Sequence, residues 1–546
     1  MKIIGCAALM AAWLAGSPGA RGQDLPVVRV VNGASQLVVQ GQPFLMLGGE
    51  LGNSSAGTAA QADTILPRLA GLHFNTVLMP VAWDEIEPQE GRFDFSVPDH
   101  WIEVAREQHL HLVFLWFGSW KNAFSEYAPA WVLGDTQRFP REISAEGLPL
   151  EILSPLGEET ARSDARAFAA LLRHTRGVDA AQQTVLLVQV ENEIGFLGVG
   201  GRDRSEAANR LFAGAVPAEL SGALARSAMH PQFNAAGHSW KEMFGDAADE
   251  AFMAWSYGRF VQQVAEAGKK EYALPLYMNA QLPAPFEPAG DYPSGGPYPS
   301  MQAIYRAAAP AVDFYAPDIY WPDFEEWVER YAAAGNPVFV PEARLEAAWF
   351  NALYTVGEAR GFGFSPFAVD SLPAADAAGQ DAAGHDAAGQ AGPRLADVYA
   401  AMSAMSREIV EAQGKDAIRG LALHATSPRP TRTVALGGYL LRASLVRGWP
   451  ARNLATSEGA LLVMETGRDA FTVMGSGLTV SFLRDPDTDD AVAGIASIEE
   501  MAYRDGQWVA VREMNGDQSN QGRELAMDAH ALHVYRVKLY TYSRKN

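Results

Sequence analysis

The sequence predicts a (β/α)8 barrel followed by a C-terminal antiparallel β-sandwich. Three observations predict it: eight nearly continuous apolar runs, helix-periodic segments that follow them, and a change after Lys415 to short strands separated by turns. The runs occupy residues 44–49, 75–80, 111–117, 184–190, 274–279, 312–320, 337–341 and 361–367. Little alternation within a run is expected of parallel strands covered on both faces. Helices are expected over 59–70, 100–107, 165–174, 252–267, 324–334 and 346–356. The last spans 395–411, where Leu395, Val398, Tyr399, Met402, Met405 and Ile409 keep 3.6-residue spacing. A doubly wound open sheet gives the same alternation, and the count of eight favours closure.

The flanking segments follow. Residues 1–22 have the layout of a secretory leader: Lys2, a short apolar stretch over 3–15, then Ala20-Arg21-Gly22 as a cleavage site. Processing there takes the formal charge from −21 to −23 and removes Cys6, the one cysteine, leaving no disulfide or thiol chemistry. The expected location is periplasmic or secreted. Residues 23–414 form the expected barrel unit, with a hairpin over 27–31 and 36–39 at its start. A low-complexity insertion at 374–392 carries the repeats DAAGQ, DAAGH and DAAGQ over 376–390, too poor in large apolar residues for a core. His385 within it lacks partners for a metal site.

Residues 415–546 form the expected sandwich, with strands over 418–425, 439–446, 460–466, 470–473, 478–483 and 531–542. Runs 501–504 and 507–512 flank Asp505-Gly506, a hairpin signal. Docking of this unit on the barrel is the simplest expectation. The acidic balance argues against non-specific nucleic-acid or anionic-membrane partners, and no apolar run in the body of the chain reaches the ~20 residues that span a bilayer.

In a barrel the chemistry lies where strands end and βα loops begin. The fourth run ends Gln189-Val190-Glu191-Asn192-Glu193, and strand alternation would turn Gln189, Glu191 and Glu193 toward the barrel axis together. The seventh ends Pro341-Glu342-Ala343-Arg344. Strands four and seven face each other across the mouth, so Glu193 and Glu342 can bracket one bond, as glycoside hydrolysis requires. An apolar strand end would raise the proton affinity of Glu193, and hydrogen bonds from Arg344 or Tyr320 would keep Glu342 ionised. Asn192 is placed to bond a sugar hydroxyl beside the reacting carbon.

Gln189-Val190-Glu191-Asn192-Glu193 resembles the Q-x-E-N-E signature of glycoside hydrolase family 35, the β-galactosidases of the clan A barrel enzymes. The segment Trp83-Asp84-Glu85-Ile86-Glu87-Pro88 through Gly91-Arg92-Phe93-Asp94-Phe95 is similar to that family's pattern after strand two. The resemblance covers about residues 40–414, and the β domain is similar to that of shorter bacterial members. It implies a retaining mechanism with Glu193 as acid/base, Glu342 as nucleophile and Asn192 on the 2-hydroxyl. Two departures bear on the sugar: Ile194 replaces an aromatic residue, and the third strand ends Phe117-Gly118-Ser119-Trp120-Lys121-Asn122 rather than in a cysteine-and-tryptophan motif.

Further substrate-binding candidates are Trp83, Trp116, Asn279, Tyr320 and Glu50, all at expected strand ends, with Trp120 and Trp321 nearby. Aromatic faces there could stack on sugar C–H surfaces, with core packing as the alternative for at least one. Long insertions at 196–249 and 281–299 suggest an aglycone larger than a disaccharide, such as a plant cell-wall oligosaccharide with xyloglucan-type side chains. Asp485-Pro486-Asp487-Thr488-Asp489 imitates a calcium loop, but Asp490 and Ala496 stand where Gly and Glu are required. No cofactor or metal is implied. The leading expectation is a secreted exo-β-galactosidase acting on an oligosaccharide substrate. A clan A hydrolase for another β-linked sugar and a non-catalytic carbohydrate-binding protein remain open alternatives.

Overall fold

The computed structural model of the protein describes residues 24–226, 233–234, 236–373, 394–426, 430–446, 457–485, 490–529 and 531–543. The expected leader with Cys6, the repeats with His385, and residues 486–489 of the acidic turn lie outside the described residues.

Eight parallel strands form a barrel: Met46–Glu50, Thr76–Ala82, His111–Phe117, Val185–Val190, Leu276–Gln281, Phe314–Ile319, a seventh in two pieces (Phe339–Val340 and Glu342–Ala343), and Gly363–Phe364. The two pieces of strand seven close the ring. Glu342–Ala343 pairs with strand six, whereas Phe339–Val340 pairs with strand eight, which pairs in turn with strand one. Pro341, with no N–H to give a ladder, sits where the strand changes partner. Glu342 is therefore the first residue after the break.

Side-chain parity sorts the strands into two layers. Val113, Leu115, Phe117, Leu187, Phe314 and Ala316 point inward into one buried cluster. Leu112, Phe114, Trp116, Val188 and Val190 point outward and pack under the helices. The base of the barrel is plugged by an antiparallel sheet of Val27–Val31, Ala34–Val39 and Gln42–Phe44, whose Leu37 and Val39 join the inner cluster. The opposite end carries the βα loops.

Several helices are longer than their apolar periodicity suggests, whereas Phe324–Ala333 and Ala348–Gly357 are each a residue shorter than expected. The two largest, Glu158–Asp179 and Ala248–Glu271, pack beside each other behind strands three to five. The helix expected over 100–107 begins at Ser96, where Asp94 Oδ1 accepts the Ser96 N–H at 2.9 Å. The final expected helix is broken at Met405 into Leu395–Ala404 and Ser406–Gly414.

From Ile418 onward the chain builds two antiparallel sheets. The six-stranded one runs, in spatial order, Ile418–His424, Glu458–Gly467, Ala470–Ser476, His533–Ser543, Ala491–Arg504, Gln507–Glu513. The four-stranded one holds Thr431–Leu436, Tyr439–Leu445, Leu478–Leu483 and Leu525–Ala526. Leu461, Val473 and Val537 of the first meet Leu441, Val480 and Phe482 of the second in a common core. The other face of the larger sheet packs on the barrel through Ile418, Ala422, Leu462 and Met464. Gly420 allows the closest approach: a Cβ there would lie 2.6 Å from the Glu358 nitrogen.

Candidate active site

Strand four carries its residues to the mouth through a strained turn. Glu191 and Glu193 have φ of +61° and +46°, left-handed values that cost a side-chain-bearing residue about 1–2 kcal/mol each. Strict alternation therefore ends at Val190, and the expected convergence of Gln189, Glu191 and Glu193 is corrected. Glu191 turns outward, accepting the Trp120 N–H at 2.9 Å and lying against the buried Asp164. Burial, and secondly Asp164, hold the Glu191 carboxyl well above the usual range, so these two acids share a proton. Gln189 stays inside the barrel, its amide without a protein partner.

Glu193 is 5% exposed and meets Glu342, also 5% exposed, across the mouth. A third acid joins them. Asp318, on strand six, is paired in register with Glu342, and its carboxyl interacts with that of Glu193. One carboxyl oxygen from each of Glu193, Asp318 and Glu342 lies within 4.8 Å of the others. Such spacing suits a cation in the abstract, yet Tyr320 and Asn279 donate hydrogen bonds to Glu342 and Asp318, which favours proton sharing over metal binding.

The surrounding hydrogen bonds differentiate the carboxyls. Tyr320 Oη donates to Glu342 Oε2 at 2.7 Å. Asn279 Nδ2 donates to Asp318 Oδ2 at 2.7 Å and to Glu342 Oε1 at 3.4 Å, while its Oδ1 accepts the Glu193 N–H at 3.0 Å. Burial, then the neighbouring Glu342, push Glu193 up to about 7. Asp318 and Glu50 are held well above the usual range, first by burial and next by Glu342. Lys121, 3% exposed, opposes these rises at Glu50 and Glu193.

The other expected site residues divide. Asn192, Asn279, Tyr320 and Glu50 gather around the two glutamates. Asn279 acts chiefly as a strut, because its amide is spent on Glu193, Asp318 and Glu342. Trp116 and Trp83 are corrected: both are fully buried in the layer under the helices. Trp116 points away from the axis because Phe117 points in, and its Nε1 donates to Asp164 Oδ1 at 2.9 Å. Trp83 Nε1 donates to Glu87 Oε2 at 2.9 Å. Trp120 is likewise buried, edge-on to Tyr257 and Phe260. Neither Trp83 nor Trp116 offers a free face to a sugar. Trp321 remains partly exposed near the mouth, its Nε1 on the Leu282 carbonyl at 3.0 Å. Arg344 donates to the Tyr320 carbonyl at 2.6 Å rather than to Glu342.

Sequence reasoning missed Asp318 and Lys121. Asp318 had a usable signal, an acid on the inward parity of an apolar strand, whereas Lys121 had none.

The two long insertions meet directly beside the acid. Phe196 and Ser294 exchange backbone hydrogen bonds of 2.9 and 3.0 Å. Gly195 makes this possible, since a Cβ there would sit 2.1 Å from the Pro293 carbonyl oxygen.

Comparison with known proteins gives partial likenesses. Residues 395–526 match a family described as "Domain of unknown function (DUF5597)". A β-galactosidase of Xanthomonas manihotis is 30% identical over 171 residues, 30% of this chain and 25% of that protein, so the match spans about a quarter of the relative's length. Among solved structures, the catalytic domain of a Paenibacillus polymyxa β-amylase aligns with a TM-score of 0.41 at 13% identity, covering 61% of this chain and 96% of the other. An endo-1,4-β-mannanase from Rhizomucor miehei gives 0.41 at 13%, over 63% and 90%. A β-galactosidase from the haloarchaeon Halorubrum lacusprofundi gives 0.36 at 14%, over 55% and 47%. The barrel assignment rests on this chain's own strand pairing.

Proposed function

We propose that the chain is a retaining exo-glycosidase that removes terminal β-linked galactose from oligosaccharides outside the cytoplasm. One observation carries the reading: Glu193 and Glu342, from opposite sides of the mouth, bring carboxyl oxygens within 4.8 Å, with Glu193 pushed up to about 7 by burial and by Glu342, and Tyr320 donating to Glu342. Retaining hydrolysis needs two carboxyls about 5 Å apart with this division of labour.

In the proposed sequence Glu342 attacks the anomeric carbon while Glu193 gives its proton to the departing glycosidic oxygen. The Tyr320 hydroxyl orients Glu342 for that attack. Glu193, now ionised, takes a proton from water, which displaces Glu342 from the sugar. Galactose as the sugar is supported by the Q-x-E-N-E segment and by the partial likeness to a β-galactosidase. A larger aglycone is supported by the joined insertions beside Glu193.

The test is initial rates on 4-nitrophenyl β-galactoside, β-glucoside, β-xyloside and α-arabinoside, with Glu342→Gln as the blank. The expected result is a dominant galactoside rate, reduced at least ~100-fold by Glu342→Gln and comparably by Glu193→Gln on substrates needing acid assistance. A different preferred sugar discards galactose and keeps the two-carboxylate mechanism. No turnover on these or on galactosylated oligosaccharides, with wild-type protein that binds them, would leave a carbohydrate-binding protein instead.

A further inference from the structure

The loop after strand three holds a buried ammonium whose hydrogen bonds lead to one side chain of the site. Lys121 and Phe124 exchange backbone hydrogen bonds of 2.7 and 3.0 Å around Asn122 and Ala123. Those two residues have φ of +51° and +62°. A tight turn with both central residues left-handed leaves Lys121 little freedom, and an alanine in that conformation is strained. The Lys121 side chain crosses the Phe117 ring at 5.1 Å, and its Nζ donates to Asn122 Oδ1 and, at 3.0 Å, to Asn192 Oδ1. The Asn122 backbone N–H also points at Asn192 Oδ1, at 3.3 Å.

An ammonium has donors only, so the amide of Asn192 has one possible orientation. Its oxygen faces Lys121, and its Nδ2, buried and without any protein partner, is left as a donor. We propose that Lys121 is a positioning residue that locks Asn192 with its N–H donors toward the substrate, so that the site selects sugars carrying a hydroxyl acceptor at C2. This rests on the glycosidase reading above, including Asn192 on the 2-hydroxyl, and goes beyond it in assigning Lys121 as the group that fixes the Asn192 amide. The ammonium beside Asn192 also disfavours a 2-ammonium sugar, through like-charge repulsion in a buried site.

The experiment compares kcat/KM on 4-nitrophenyl β-galactoside and its 2-deoxy analogue, in wild type, Lys121→Met, Asn192→Ala and the double variant. If another sugar wins the panel above, its own 2-deoxy pair is used. Wild type is expected to prefer the 2-hydroxy sugar at least ~100-fold, since bonds to that hydroxyl tighten in the transition state. Lys121→Met is expected to cut this ratio at least ~10-fold, and the double variant to lose no more than Asn192→Ala alone, the non-additivity of residues acting as a unit. A Lys121→Met variant that slows both substrates equally overturns the proposal, because charge neutralisation or structural support alone leaves the ratio intact. Additive losses overturn it as well. Should Lys121→Met fail to fold, Lys121→Gln carries the same comparison without the charge or the reach. Failure of the glycosidase reading would show separately, as absence of wild-type turnover on either substrate.

Discussion

Glu193 draws its proton affinity from being buried beside Glu342, with Lys121 and Asp318 pulling in the other direction. The acid must be protonated to assist departure of the aglycone, so kcat/KM is expected to hold below about pH 7 and to fall as pH rises through that value. In Glu193→Gln that alkaline limb should vanish, while a dinitrophenyl leaving group, which needs no proton, should recover most of the lost first-step rate. An alkaline limb that survives in Glu193→Gln assigns the proton to another group, with Asp318 the first candidate. The glutamates were legible in the sequence because each follows an apolar strand run, Glu193 at the end of the polar segment Gln189–Glu193 and Glu342 directly after Val338-Phe339-Val340-Pro341. Asp318 was hidden by its setting within Phe314-Tyr-Ala-Pro-Asp318-Ile-Tyr320, yet Phe314 and Ala316 face inward, so parity alone puts Asp318 and Tyr320 at the mouth. The same parity, counted from Phe117, turns Trp116 away from the sugar. Proximity to a strand end was the wrong measure for a side chain whose neighbour already faces in.

At the scale of elements, the turn after strand four is held from two sides. Behind it, Asp164 on the long helix Glu158–Asp179 accepts from Trp116 Nε1 and from Ser119 through both N–H and Oγ, and Glu191 leans on the same acid. In front, Gly195 lets Phe196 pair with Ser294 and joins the two insertions. Gly195→Ala forces a Cβ to within 2.1 Å of the Pro293 oxygen, so the clasp must open or the turn must shift. Overpacking of this kind costs about 1–3 kcal/mol, and a shift of the acid by a fraction of an ångström also slows chemistry. The expected outcome is a lowered Tm together with a kcat/KM reduced at least ~10-fold. Unchanged values of both would show that the clasp yields without moving Glu193. The insertions could be read from length and from their Pro, Gly and Tyr content. Their clasp could not, because it consists of backbone bonds between segments about 100 residues apart. The strands of the barrel were read closely because continuous apolarity marks them. Thr431–Leu436 was missed because its alternating exposure on a sheet edge gives a weak signal.

At the scale of the whole molecule, among the described residues, buried acids outnumber buried cations. Glu50, Glu142, Glu191 and Asp318 are all held well above the ordinary carboxyl range, each chiefly by burial. The folded chain therefore keeps protons that the unfolded chain has released, and the linkage has a definite sign. Their stabilisation is complete below the unfolded values of about 4, and is lost as pH rises toward and through the raised folded values, at about 1.4 kcal/mol per pH unit for each proton retained. Acids held low, such as Glu90 beside Arg138 and Glu411 beside Arg407, act in the opposite sense only below about pH 4. Both are exposed and contribute little through screened pairs. The Tm is thus expected to be higher near pH 5 than near pH 8. Glu142 isolates the effect, because it lies outside the catalytic group and its Oε1 accepts from Tyr257 Oη at 2.8 Å, a bond that a glutamine carbonyl can keep. Glu142→Gln should flatten the decline of Tm with pH and overtake the wild type on the alkaline side, with kcat/KM at pH 5 little altered. Parallel Tm curves for the two proteins would mean that Glu142 is ionised when folded and that its charge is solvated. A flattened curve would place activity and stability under one constraint, since the burial that keeps Glu193 protonated for chemistry also makes this fold an acid-favouring one.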